Sequence, residues 1–363
     1  MRRHLPVIVT TAVFLLGFLF CALQYPNIAS TRVVMNLITD NAFLGILAVG
    51  MTFVIISGGI DLSVGSVVAF TTVFLALGIG SWGLPPLLAF CLVLAICALF
   101  GAAMGAIIHH FDVPPFIVTL AGMFLARGVA FLLSTDSLPI DDALYQQVAA
   151  FSLRLPGGGR LRIIGMIMLA TFILGGILLH YTRFGTNVFA LGGGRDTTAL
   201  MGIRTGRTTI AIYTLSSLLA GLAGIVFSFY TASGYSLTGV GVELDTIAAV
   251  VIGGTLLSGG AGSMFGTFIG ILIQGLIQTY ITFDGSLSSW WIKIVTGILL
   301  FLFIALQQLL THLATRAASG PHGTQDQPPA AGRTPTIGAQ GMGTQGMGAQ
   351  GMGTGGLRTQ ERG

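Results

Sequence analysis

Charge is what this sequence has least of. Only 8% of its 363 residues are Asp, Glu, Lys or Arg, against roughly 25% in a soluble domain. Lysine is almost missing, with Lys293 its single instance. That excludes a phosphate-binding P-loop, which needs Gly-Lys-Ser/Thr after a glycine-rich turn. Lys293 follows Trp290-Trp291-Ile292 instead. The chain is not an ATPase by that route, and any ATP that drives it is hydrolysed by another subunit. Cysteine is scarce too. Cys21, Cys91 and Cys97 sit in apolar runs, as small hydrophobes rather than disulfide partners. No His/Asp/Glu metal set and no Ser–His pairing falls at one membrane level, so no metal, cofactor or catalytic group is expected. His109-His110 beside Asp112 comes nearest, and histidines at the end of a span are the plainer reading. The formal charge of +4 is spread over loops and tail and carries no nucleic-acid signal.

What abounds is apolar surface, at 53% of residues. The chain reads as an all-α polytopic membrane protein embedded in the lipid bilayer. Apolar runs occupy 5–23, 41–57, 67–79, 87–108, 116–133, 163–180, 210–230, 246–257, 264–283 and 292–310. Counted singly they give ten crossings. If each of the two short pairs, near 57–79 and 246–264, is a re-entrant hairpin, the count is eight. Both counts put the termini on one side. Arg2 and Arg3 before the first run make that side the cytoplasm. The stretches 26–40, 134–162 and 231–245 then face outward. The membrane body covers 1–312. Residues 319–363 are Gly, Gln, Thr and Pro with Gly-Met-Gly-x-Gln repeats. They lack apolar periodicity and read as a disordered cytoplasmic tail.

The longest cation-rich interruption is 181–209. It holds Arg183, Arg195, Arg204 and Arg207 against one acid, Asp196, so it faces the cytoplasm. After Gly192-Gly193-Gly194, the stretch Asp196-Thr-Thr-Ala-Leu-Met-Gly-Ile predicts a short helix. Asp196 or Thr197 can cap it and Gly202 can stop it. Ala199, Leu200 and Ile203 would share an exposed apolar face, with Met201 beside them. Such a helix wants a protein groove. The alternative is a helix lying on the lipid headgroups.

Two glycine-broken segments have one pattern: Gly58-Gly59-x-x-x-Ser63-x-Gly65 and Gly253-Gly254-x-x-x-Ser258-x-Gly260. Corresponding broken segments point to a transport pathway, because freed backbone groups survive only against protein or a water-filled cavity. Ordinary small-residue helix packing is the alternative. Asp61, at the end of an apolar run, is either a functional acid or the N-cap of the next helix. Glu243 and Asp245 have the same cap alternative. Arg127 lies mid-span and needs a partner, and Lys293 is expected to snorkel to the outer surface. For a hydroxylated solute, Asn41, Ser57, Phe116, Gln274 and Gln278 join these segments as pathway candidates. Each of them could equally be packing.

The loop resembles the coupling segment of permease subunits of ribose-type sugar ABC importers, through Gly192-Gly193, Thr198-Ala199-Leu200 and Gly202-Ile203. Gly194-Arg195-Asp196 departs from that family's pattern, which has Asn after the paired glycines. Met51–Val67 and Gly239–Gly275 are similar to its signature regions, and the resemblance runs from about Leu5 to Leu310. Thr39–Gly45, Leu155–Leu161 and Gln274–Trp291 resemble more closely still one of the two permease subunits of galactofuranose importers. The resemblance implies an inner-membrane subunit that imports a monosaccharide. Its implied partners are an ATP-binding subunit that docks on the loop, a second permease subunit in a heterodimer, and a periplasmic sugar-binding protein. The binding protein would dock near Gly234–Asp245 and Asp284–Ser289. An ion-coupled carrier is the alternative. It needs buried titratable groups, and beyond Asp61 and Arg127 the spans hold almost none.

Overall fold

The computed structural model describes residues 5–288 and 290–318. The 319–363 tail, Arg2 and Arg3, and Ser289 lie outside the described residues. Met1–Thr315 form one unit, and the architecture is that of this unit. It is helical throughout its body. In chain order the helices are α1 (Leu5–Gln24), α2 (Thr31–Asp40), α3 (Ala42–Ile56), α4 (Val64–Gly80), α5 (Pro86–His110), α6 (Pro115–Leu133) and α7 (Ala143–Ala150). They continue as α8 (Ile163–Tyr181), α9 (Arg183–Gly193), α10 (Arg195–Leu200), α11 (Thr205–Thr231), α12 (Val242–Ile252), α13 (Met264–Asp284) and α14 (Trp290–Ala318). Pro86 and Pro115 each open their helix, where a missing N–H costs nothing.

Six of these are long and apolar enough to cross a membrane. Among the described residues the pair α2–α3, bent by 55°, makes a seventh if it is one span. The expected count of eight to ten also took in shorter helices, such as α4 with 17 residues and α12 with 11. The stretch 26–40, expected as a polar outer segment, is helical. Ser30 caps α2 through its Oγ, which accepts the Val33 N–H, and Leu37 and Thr39 turn inward. The 134–162 insertion also has structure of its own. Strand β1 (Leu138–Pro139) pairs antiparallel with β4 (Ser233–Gly234), and β2 (Ser152–Arg154) pairs with β3 (Arg160–Arg162).

Helix α11 is the axis, packed by α5, α3 and α4. Lipid supplies no hydrophobic drive between helices, so close backbone approach does the packing. On α5, a Cβ at Gly101 would come within 2.7 Å of Ser217 Cβ, and one at Gly105 within 2.7 Å of Ile210 Cα. The same device joins α12 to α13. A Cβ at Gly266 would overlap the Gly253 carbonyl, and one at Gly270 the Ala249 carbonyl. Replacing Gly270 with Val therefore forces the two helices apart. We expect a loss of about 1–3 kcal/mol or more, typical of overpacking, read as a lower thermal midpoint of the purified protein.

Candidate coupling site and broken helices

Helices α3 and α12 both end in the interior, and they end alike. Gly58 and Gly254 take left-handed backbone, at φ +83° and +90°, which glycine adopts without strain. Gly58 N–H donates to Ile55 O at 2.9 Å and Gly59 N–H to Val54 O at 3.0 Å. Gly254 N–H donates to Val251 O at 2.9 Å and Thr255 N–H to Val250 O at 3.3 Å. Each is a Schellman motif, which satisfies carbonyls that a helix end otherwise leaves bare. The structural match is thus Gly58 with Gly254, one residue off the sequence register, and Gly253 stands where Ser57 does. The two tips also meet. Gly260 N–H donates to Ile56 O at 2.8 Å, and Gly259, at φ +81°, lies against Gly58. Ser258 is exposed at the second tip.

The cation-rich loop folds as α9 and α10. The sequence led us to expect Asp196 or Thr197 as the cap of α10, and neither caps it. Gly194 occupies the cap position without a side chain, and Asp196 sits in the first turn. Thr198 is buried, its Oγ1 2.6 Å from both Ala190 O and Gly194 O, so it pins α10 to the end of α9. Gly202 stops α10 at φ +78°, as expected. Leu200 and Met201 are 88% and 62% exposed. Ala199 is exposed with them, but Ile203 is only half-exposed, so the free apolar edge is Leu200–Met201. Arg195 reaches back to α5, donating to Asp112 Oδ1 at 2.6 Å and lying 3.2 Å from His109 Nδ1. Gly192 makes the decisive contact. A Cβ there would overlap Ile56 O and stand 2.5 Å from Gly260 N. The end of α9 is thus seated on the backbone of both tips at once, while Gly193 faces open space.

A family model described as the permease component of a branched-chain amino acid transport system matches residues 33–304. The chain belongs to this permease family. The inner membrane ABC transporter permease protein YjfF of Escherichia coli strain K12 is 60% identical over 320 residues, 88% of this chain and 97% of that protein. The fructose import permease protein FruG of Bifidobacterium longum strain NCC 2705 is 36% identical, covering 85% of this chain and 92% of its own. The ribose import permease protein RbsC of Escherichia coli strain K12 is 37% identical, covering 77% and 86%. No solved structure matches the chain.

In this permease Asp61 is fully buried and does not cap α4. Its Oδ1 accepts the Ser63 N–H at 2.9 Å and the Ser63 hydroxyl at 2.6 Å, and its Oδ2 accepts Ser216 Oγ of α11 at 2.7 Å. The carboxylate is held by donors rather than by a cation. Ser57 turns back on its own helix, donating to Val54 O. Asn41 donates to Leu37 O at 2.9 Å, and a Cβ at Gly275 would come within 2.5 Å of its Nδ2. Gln274 ties α13 to α12, donating to Asp245 O at 2.9 Å. Gln278 lines a groove of about 190 Å³ with Asn36, Asp40 and Asn41, away from the tips. Phe116 is 50% exposed and is not brought to the other pathway candidates. Neither Glu243 nor Asp245 caps α12; both lie in its first turn. Arg127 needs no acid contact, since its guanidinium donates to Ser236 O and Thr238 O at 2.6 Å each. Lys293 is half-exposed and pairs with Asp245 at 2.5 Å.

Sequence reasoning missed Ser216 and Tyr213, which lie on α11 far along the chain from Asp61. Their helical spacing on a small-residue face was the available signal. Asp61→Ala would leave three buried donors unpaired, at about 1–3 kcal/mol each. We expect a marked fall in thermal midpoint for Asp61→Ala and a smaller one for Asp61→Asn, which keeps an acceptor. Equal midpoints for both would show that the acceptor oxygens contribute little.

Proposed function

We propose that the chain is the membrane-spanning subunit of an ATP-driven importer of a neutral monosaccharide, with galactofuranose as the cargo implied by its resemblance. The exposed Leu200–Met201 edge carries this reading. Apolar side chains held out on a pinned helix need a groove, and an ATP-binding subunit supplies one. The names of the relatives, which speak of ribose and fructose, support a sugar. Exposed Arg183, Arg204 and Arg207 support a cytoplasmic loop, with the termini on the same side. A second permease subunit and a periplasmic sugar-binding protein complete the machine. The binding protein delivers cargo at the opposite end, near 234–245 and 284–288. The pathway runs past the tips at Ser57, Gly58, Gly59, Gly253, Gly254 and Ser258, and past Asp61 and Ser63. An ion-coupled carrier is not favoured, because it leaves the Leu200–Met201 edge without a role.

The test is co-purification with the ATP-binding subunit. An unpaired charge forced into an apolar groove costs about 2 kcal/mol or more, a roughly 30-fold loss of affinity. Leu200→Asp should lose the complex while the permease stays folded in the membrane. A complex retained at wild-type affinity would move the docking surface elsewhere.

A further inference from the structure

Beneath the coupling loop lies a cavity of about 320 Å³. The end of α3, the end of α9 and the start of α10 border it on one side. Helices α5, α6 and α11 border it on the other. Its apolar wall is Ile108, Pro115 and Leu191, and its hydroxyl groups belong to Ser57, Thr209 and Tyr213. Two helix C-termini open onto it, and helix ends leave carbonyls free to accept hydrogen bonds. No carboxylate lines it, and its one cation, Arg195, is already paired with Asp112. An ion of either sign therefore finds no counter-charge there. Its volume stands at the small end of ligand pockets, the size of one sugar ring.

Tyr213 sharpens this. It is 2% exposed, and its hydroxyl has no protein hydrogen-bond partner. The phenol rests against Gly59, where a Cβ would overlap its oxygen. A buried hydroxyl left unpaired is unfavourable and calls for an explanation. Tyr213 and Gly59 both line the cavity, so this unpaired hydroxyl belongs to its wall. We propose that this cavity is a binding site for a neutral monosaccharide on the loop side of the pathway, and that the Tyr213 hydroxyl fixes the orientation of the bound sugar. The proposal rests on the importer reading and adds a second, inner station to it.

The test uses membrane vesicles holding the whole transporter, with Ser57→Cys in a Cys91→Ser background. The rate of N-ethylmaleimide modification is measured with D-galactose, D-fructose or D-ribose, and with choline chloride as a cationic control. A bound sugar slows modification about threefold once it reaches twice its Kd, and choline does not. Adding Tyr213→Phe should abolish that protection while leaving the unprotected rate and the thermal midpoint as they were. Thr209→Cys gives the same readout if Ser57→Cys fails to fold. The site is overturned if no sugar protects, if choline protects equally, or if Tyr213→Phe leaves protection intact. Co-purification with the ATP-binding subunit on the same membranes separates the two ideas. A complex without protection sinks the site alone, and no complex sinks the importer reading with it.

Discussion

Two helices of this membrane protein stop at glycine turns packed on each other, and the backbone groups freed there have to be satisfied. In such surroundings each unsatisfied N–H or C=O costs several kcal/mol. The chain answers with two Schellman motifs, at Gly58 and Gly254, and with the hydrogen bond from Gly260 to Ile56. Since one tip satisfies the other, the two hairpins are tied at their ends. Gly192 then brings α9 onto that junction with backbone-to-backbone contact. Packed contacts of this kind shift between discrete arrangements rather than deform smoothly. A displacement of the loop therefore has a direct way into the bundle, through both tips together.

Three charged groups are settled locally. Asp61 is held by hydroxyls and one N–H, Arg127 by two carbonyls, and Lys293 by Asp245. Such partners lower the cost of polar groups in a membrane interior. They also fix α11 to the first tip, α6 to the loop after α11, and α14 to α12. In the proposed importer the driving energy comes from outside this chain, and the pinned helix α10, with Leu200 and Met201 exposed, is the part that projects to receive it.

The helical class, the loop with its exposed apolar edge, and both breaks were legible in the sequence. Composition and glycine placement act locally, so they can be read locally. The repeat was read one residue out of register, because Gly-Gly in both segments hides which glycine turns left-handed. That choice belongs to the Schellman bonds and not to the pair itself. Asp61 was open to a cap reading beside the functional one because Ser63 follows it. Its partner Ser216 lies 155 positions away, beyond any local pattern. Arg127 read as lacking a partner because carbonyls carry no residue signature. The cap of α10 was misplaced for a related reason: Gly194 does the work with backbone alone.

The central claim is that loop and tips are coupled through Gly192. Its most direct test is the Gly192→Ala variant in a reconstituted transporter, with ATP hydrolysis and sugar uptake measured side by side. The added methyl overlaps Ile56 O, so α9 has to lift from the junction while the Leu200–Met201 edge stays intact. The account predicts an assembled complex that hydrolyses ATP but transports little. Uptake by Gly192→Ala at the wild-type rate, with wild-type coupling to ATP, would contradict it.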